Sequence, residues 1–324
     1  MRLALRTLFV VLMLLGTGAV HAQTCTGNAS NLNFGSISPV AGMTASVSST
    51  ITISCSGFPL ALPVRACVNL GTGSGGTTYA PRVALNGASG LQYNLYVDSA
   101  AATVWGSRRA TSYGPVSIDI PLTSTGGTAS GSATLPVYGR VPASQTTLVA
   151  GTYVSTFSGA AQSEFDYQQY LLLAPSCSTL STPAATIPFT VSANVINDCA
   201  LTATSINFGA AGVLSTTLTA TGTLTVACTN SDAYSIALSA GTGSGATVAD
   251  RRMTRGGGTD QVHYQLYQNA SYSTAWGDGT AGTSVTAGTG TGSSQSLTVY
   301  ARVQPQTTPK AGTYIDTIIA TITY

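Results

Sequence analysis

One order of landmarks occurs twice in this chain, from Cys25 to Phe157 and again from Cys199 to Ile318. In the first copy Cys25, Asn33-Phe34-Gly35 and Cys55 precede Gly71-Thr72-Gly73-Ser74-Gly75. In the second, Cys199, Asn207-Phe208-Gly209 and Cys228 precede Gly241-Thr242-Gly243-Ser244-Gly245. Tyr93-Asn94-Leu95-Tyr96, Trp105-Gly106, Val137-Tyr138-Gly139-Arg140-Val141 and Ala150-Gly151-Thr152-Tyr153 are then answered by Tyr264-Gln265-Leu266-Tyr267, Trp276-Gly277, Val299-Tyr300-Ala301-Arg302-Val303 and Ala311-Gly312-Thr313-Tyr314. Each copy has the length of an ordinary domain, so the chain is expected to fold as two units of one architecture.

Within each copy the apolar residues alternate or form short β-branched runs, as in Ile51-Thr52-Ile53, Thr223-Leu224-Thr225-Val226 and Leu297-Thr298-Val299-Tyr300. Gly-, Ser- and Thr-rich breaks separate them, and no 3.6-residue period is sustained. The fold class is all-β, with an antiparallel sandwich in each unit. Residues 314–324 read as one long terminal strand with an uncovered edge. Phe189, Val191, Ala193 and Val195 alternate with polar residues ahead of the second copy, a leading strand without a counterpart before the first.

At the start of the chain, Arg2 and Arg6, an apolar run over 8–15 and small residues ending at Ala22 have the layout of a secretory signal peptide. The expected division is therefore a leader over 1–22 and units over 23–186 and 187–324. The chain has 12 Lys/Arg and 10 Asp/Glu, and losing Arg2 and Arg6 leaves 10 of each. No nucleic-acid or acidic-lipid partner is implied by such a balance.

All six cysteines follow the leader, where disulfides are the default. Repeat symmetry makes Cys25–Cys55 and Cys199–Cys228 the natural pairs and leaves Cys67 for Cys177. No Cys-x-x-Cys spacing suggests a metal site.

The paired Cys around Asn-Phe-Gly, together with Tyr-x-Leu-Tyr, Trp-Gly, Val-Tyr-x-Arg-Val and Ala-Gly-Thr-Tyr, resembles the spore coat protein U domain family. That family includes subunits of archaic chaperone-usher pili of Gram-negative bacteria. The resemblance implies two immunoglobulin-like sandwiches, the second incomplete and completed by a strand from another protein. It implies a periplasmic chaperone, an outer-membrane usher and a next pilin subunit as partners, with export through the periplasm to the cell surface. The C-terminal strand bearing Ile318, Ala320, Ile322 and Tyr324 would face the chaperone. Phe189 to Val195 has a donor's pattern; it either completes the first unit or opens the second. A mature chain starting two residues before Cys25 would have no N-terminal donor to give, which is the expectation for the far tip of a fibre and hence for an adhesin.

Three insertions distinguish the first copy: Phe58, Pro59, Leu60 and Leu62 after Cys55; a stretch after Trp105 containing Tyr113; and Tyr170, Leu171, Leu172 and Leu173 before Cys177. A Cys67–Cys177 bridge would hold the first near the third, reducing the ordering cost of contact. The function expected is attachment to an abiotic or host surface, and biofilm formation, through these side chains. Packing of the same residues into the core is the competing placement. Tyr93, Trp105, Tyr264 and Trp276, being shared by both copies, are expected in the cores.

Beyond the leader the chain has one histidine, His263, and it shows no nucleophile elbow, zinc-protease helix or paired-carboxylate spacing. The two Gly-Thr-Gly-Ser-Gly segments lack the Lys-Ser/Thr of a phosphate loop and read as turns. No enzyme, cofactor or metal is expected. A secreted coat or matrix protein is one alternative, and a sugar-binding tip built on Arg108, Arg109, Asp119 and the tyrosines is another.

Overall fold

The structure, a computed structural model, describes residues 22–180 and 185–324 of the chain; the leader up to His21 lies outside the described residues. The first unit comprises β1 (Thr24–Ala29), β2 (Leu32–Ile37), β3 (Ala45–Phe58), β4 (Val64–Leu70), β5 (Arg82–Asn86), β6 (Ser89–Tyr96), β7 (Val116–Ile120), β8 (Thr123–Thr125), β9 (Thr128–Val141), β10 (Gly151–Phe157), β11 (Ser163–Gln169), β12 (Ala185–Thr186) and β13 (Phe189–Val195). The second comprises β14 (Cys199–Ala203), β15 (Leu218–Cys228), β16 (Ala233–Leu238), β17 (Arg251–Arg255), β18 (Gln261–Tyr267), β19 (Thr286–Thr289), β20 (Gln295–Val303), β21 (Tyr314–Ile315) and β22 (Ala320–Thr323).

In the first unit the large sheet runs β1-β3-β9-β6-β5-β10-β13-β2, with β8 beside β9, and the small sheet runs β12-β11-β4-β7. In the second the large sheet β14-β15-β20-β18-β17-β21 repeats the order of β1-β3-β9-β6-β5-β10, and β19-β16-β22 forms the small one. The two all-β units expected from the duplication are present, each around its own core. Cys25 faces Cys55 across β1 and β3, and Cys199 faces Cys228 across β14 and β15, so each bridge joins directly opposed residues. The third bridge, Cys67–Cys177, spans 110 residues. By loop-closure entropy the short bridges contribute about 3–4 kcal/mol each and the long one about 5 kcal/mol.

A buried arginine organises each unit. Arg82 donates from Nε to the Gly71 carbonyl at 2.8 Å and from Nη2 to the Trp105 carbonyl at 2.6 Å. Arg251 makes the equivalent bonds to the Ser239 and Trp276 carbonyls, both at 2.9 Å. The Trp105 and Trp276 indoles donate to the Val68 and Ile236 carbonyls. These shared aromatics are core residues in both units.

Two sequence expectations are corrected here. The boundary at 186/187 cuts the first unit short, because β13 lies between β10 and β2 and its apolar face packs in the first core. The junction is Ile196-Asn197-Asp198, which leads straight into β14. Residues 314–324 form two short strands in different sheets rather than one. Between them the Asp316 carboxylate accepts from the Thr242 amide at 2.6 Å, and Ile319 exchanges bonds with Ser239, so local contacts replace a continuous ladder.

Candidate strand-acceptor groove and distal surface

In the first unit β13 pairs with β10 along its full length, antiparallel, from Gly151↔Val195 to Phe157↔Phe189. On its other side it pairs with β2 in parallel, Val191 beside Leu32 and Val195 beside Ile37. Phe189, Val191, Ala193 and Val195 are all buried, whereas Thr190 and Ser192 are half-buried and Asn194 is exposed. Phe189 stacks on Phe157 with ring centroids 4.5 Å apart. Seven residues thus close a gap between two edges through main-chain bonds and alternate side chains.

The matching gap in the second unit is an open groove of about 490 Å³. One wall is 314–318, the counterpart of β10; the other is 203–208, the counterpart of β2, which forms no strand in its Asn207-Phe208-Gly209 stretch. The Asn-Phe-Gly motif has the same local role in both units. Asn33 and Asn207 each accept from the glycine amide two residues on at 2.8 Å, and Gly35 and Gly209 have φ of +72° and +76°, favoured by glycine. Burial is what differs. Leu32, Tyr153 and Phe157 are buried, whereas their counterparts Ile206, Tyr314 and Ile318 are only half-buried, as is Phe208. Tyr264 donates to Asp316 at 2.7 Å, and its hydroxyl pKa is driven up by burial first and by that bond second.

Of the predicted C-terminal residues, Ile318, Ala320 and Ile322 are half-buried against the second core, and Ile318 and Ala320 line the groove. Tyr324 lies beyond β22 and is 51% exposed.

At the opposite pole of the first unit the first and third insertions meet. Gln169 donates from Nε2 to the carbonyls of Leu60 and Leu62 at 2.8 and 3.2 Å, and the Tyr170 amide donates to the Pro63 carbonyl at 3.1 Å. Leu60, Leu171, Leu172 and Leu173 are 58%, 70%, 86% and 88% exposed, and Pro59 is exposed beside them. Phe58 departs from the expectation: it is 1% exposed, packed edge-on against Tyr167 at 6.2 Å, because β3 continues to it and pairs it with Ala129. Leu62 is half-buried where the chain turns into β4. Tyr113 lies at the far end of β4, since Ser107 bonds its carbonyl and Gly106 receives the Leu70 amide, so it is not part of this surface.

The charged residues of the sugar-binding alternative are taken up by other partners and do not meet one another. Arg65 forms a two-bond pair with Asp119 at 2.6 and 2.8 Å, and the Asp119 carboxyl is held below its ordinary range by that bond. Arg108 reaches Glu164 and Asp166, and Arg109 reaches Glu164 at 2.7 Å. Glu164 and Asp166 are buried, so these ion pairs pin the second insertion to β11. Sequence reasoning missed Arg82, Arg251, Gln169 and this acid pair. The signal available was that the chain's one glutamate lies two residues before Asp166 in a Phe165/Tyr167 alternation that reads as a strand.

Together these features define a class: tandem β-sandwich proteins with one unit closed by its own chain and the other open to a strand. The Spore Coat Protein U domain matches residues 11–159 and 185–321, and the chain belongs to that family. Protein U of Myxococcus xanthus is 38% identical over 108 residues, which cover 32% of this chain and 59% of that relative. Among solved structures, the CsuC–CsuE chaperone-tip adhesion subunit pre-assembly complex of archaic chaperone-usher Csu pili from Acinetobacter baumannii shares the fold. The TM-score is 0.53 at 17% identity, covering 93% of this chain and 100% of that one.

Proposed function

We propose that this chain is the adhesive tip subunit of a chaperone-usher pilus, carried through the periplasm of a Gram-negative bacterium to the cell surface. The observation that carries the reading is that one groove occurs twice, filled by β13 in the first unit and open in the second. The donor-patterned strand is consumed within the chain, while an acceptor stays available for a periplasmic chaperone and then, at the usher, for the next subunit. An incoming strand on the β13 template would run antiparallel to 314–318 and parallel to 203–208, covering Ile206, Phe208 and Ile318.

The test is expression in a periplasm with and without a co-expressed pilus chaperone, followed by hydrogen exchange. Soluble chain is expected only with the chaperone, with slow exchange over 203–208 and 314–318. The amides of β10 serve as an internal standard, protected in either case. A stable monomer without chaperone, with those segments already slow, would overturn the reading.

Attachment resides in Leu60 and Leu171 to Leu173 at the pole away from the second unit. Burying each leucine against an apolar material contributes about 1.5–3 kcal/mol, and many pili multiply the contact. Changing all four to Ser is expected to lower attachment to polystyrene at least tenfold, with pilus number unchanged by electron microscopy. Equal attachment by equally piliated cells would locate adhesion elsewhere.

A further inference from the structure

The chain holds a donor-patterned strand in one unit and an open groove on the same template in the other. Copies of it would link head to tail by exchanging the segment 185–195, unless the second groove rejects that segment. Three positions of the second groove do not fit it.

The first faces Ile187, the fully buried residue that joins β12 to β13. The Ile187 amide donates to the Ser163 carbonyl at 3.2 Å, and its side chain lies over Gly27, where a Cβ would come within 2.6 Å of Cγ1 and 2.8 Å of Cδ1. Gly27 lies two residues after Cys25 and pairs with Ile53; the residue placed likewise after Cys199, paired with Val226, is Leu201, half-buried against the second core. The second unit thus sets a leucine where the first leaves room for an isoleucine. The next position is Ser163, whose hydroxyl donates to the Ile187 carbonyl. Its counterpart is Ala320, since the two pair with Leu70 and Leu238, whose carbonyls accept from Nη2 of the buried arginines. Alanine has no hydroxyl to give. The third faces Val191, which pairs with Ser155 of β10. Ser155 follows Tyr153 by two residues, and Asp316, in the groove lining, follows Tyr314 by two. Asp316 Oδ1 accepts from the amide and hydroxyl of Thr242 at 2.6 and 3.0 Å and from the Thr317 amide at 2.8 Å. Among the described residues Oδ2 accepts only from the Tyr264 hydroxyl, at 2.7 Å. A valine over Oδ2 would cover a carboxylate without supplying a donor.

We propose that the second groove excludes this chain's own 185–195 segment and takes a strand of another subunit, one with a small residue at the Ile187 position and Ser or Thr at the Val191 position. This rests on the reading of the groove as a strand acceptor. Leu201 fills the volume that isoleucine fills in the first unit, and a hydroxyl on the strand donates to Asp316 Oδ2 as the strand covers it. Opposite the Phe189 and Ala193 positions the second unit has Ile318 and Tyr314, so those anchors stay apolar. Selectivity comes from what repels the wrong strand as much as from what holds the right one.

The test appends a second copy of 185–195 to Tyr324 of the full chain through a flexible Gly-Ser linker, either unaltered or carrying Ile187→Ala and Val191→Thr in the appended copy. Both chains are expressed in a periplasm without a pilus chaperone. The acceptor is identical in the two, so its own folding cannot account for a difference. Soluble monomer is expected to be at least about tenfold more abundant with the altered copy, with slow hydrogen exchange over 203–208 and 314–318. Equal yield and equal protection with both copies would overturn the proposal and leave strand acceptance standing. So would failure of both copies where a co-expressed chaperone gives soluble chain. Soluble monomer with no appended copy, already slow over both segments, would instead overturn the reading of the groove as an acceptor, and the proposal with it.

Discussion

Replacing Val191 with Asp is expected to unfold the first unit. Val191 is 1% exposed at the centre of β13, between Ser155 of β10 and Leu32 of β2. Losing its burial costs about 1.5–3 kcal/mol, and placing a carboxylate there without a counterion adds several more. The total is comparable to the whole stability of a domain, about 5–15 kcal/mol. The chain should lose one of its two unfolding transitions in urea, followed by near-UV circular dichroism. Asn194→Ser, on the exposed face of the same strand, should stay within about 0.5 kcal/mol. If Val191→Asp left both transitions in place, β13 would not be the strand that closes the first unit.

The second large effect is expected from Arg82→Met. The Arg82 guanidinium satisfies the carbonyls of Gly71, Leu70 and Trp105 and the side chain of Asn94, the last at 2.7 Å. Burial lowers its pKa from 12.5 to about 10, yet it stays charged at neutral pH. A methionine fills the space but leaves buried acceptors unpaired, each costing about 1–3 kcal/mol, so a loss of about 4 kcal/mol or more is expected. Because the folded value lies below the unfolded one, protonation of Arg82 makes stability climb with pH only between about 10 and 12.5. The variant should therefore melt lower at every pH below 10 by a constant amount, measured by calorimetry. Arg251→Met should do the same to the second unit. A loss under about 1 kcal/mol at either site would mean that the carbonyls find other partners.

What the sequence disclosed follows from which contacts are local. The Asn-Phe-Gly turns, the Phe189 to Val195 alternation and the opposed cysteines were legible because each is set by neighbouring residues or by the repeat itself. Alternation shows that a strand has one buried face but not which core receives it, so the placement of β13 could not be read. Phe58 looked like part of an apolar loop because the extension of β3 that buries it depends on Ala129, far away in sequence. The arginines escaped notice for another reason: Arg82 lies 11 residues after Gly71 and Arg251 only 10 after Gly241, so the motifs do not align them. The Arg108 and Arg109 pairing with Glu164 and Asp166 depends on two loops meeting, which no local pattern encodes.

The three-residue junction has a mechanical consequence. At Val195 the chain leaves β13 and within Ile196-Asn197-Asp198 becomes β14, so a pull that separates the units draws on β13 along its own axis. Its bonds to β10 and β2 are then stretched together, in shear, instead of parting one after another from an end. If the strand did slide, Cys177, anchored to β4 through Cys67, would stop the unravelling after the 18 residues 178–195, a tether of about 60 Å at full extension. The strand that completes one unit is thereby also the cable that tows the other.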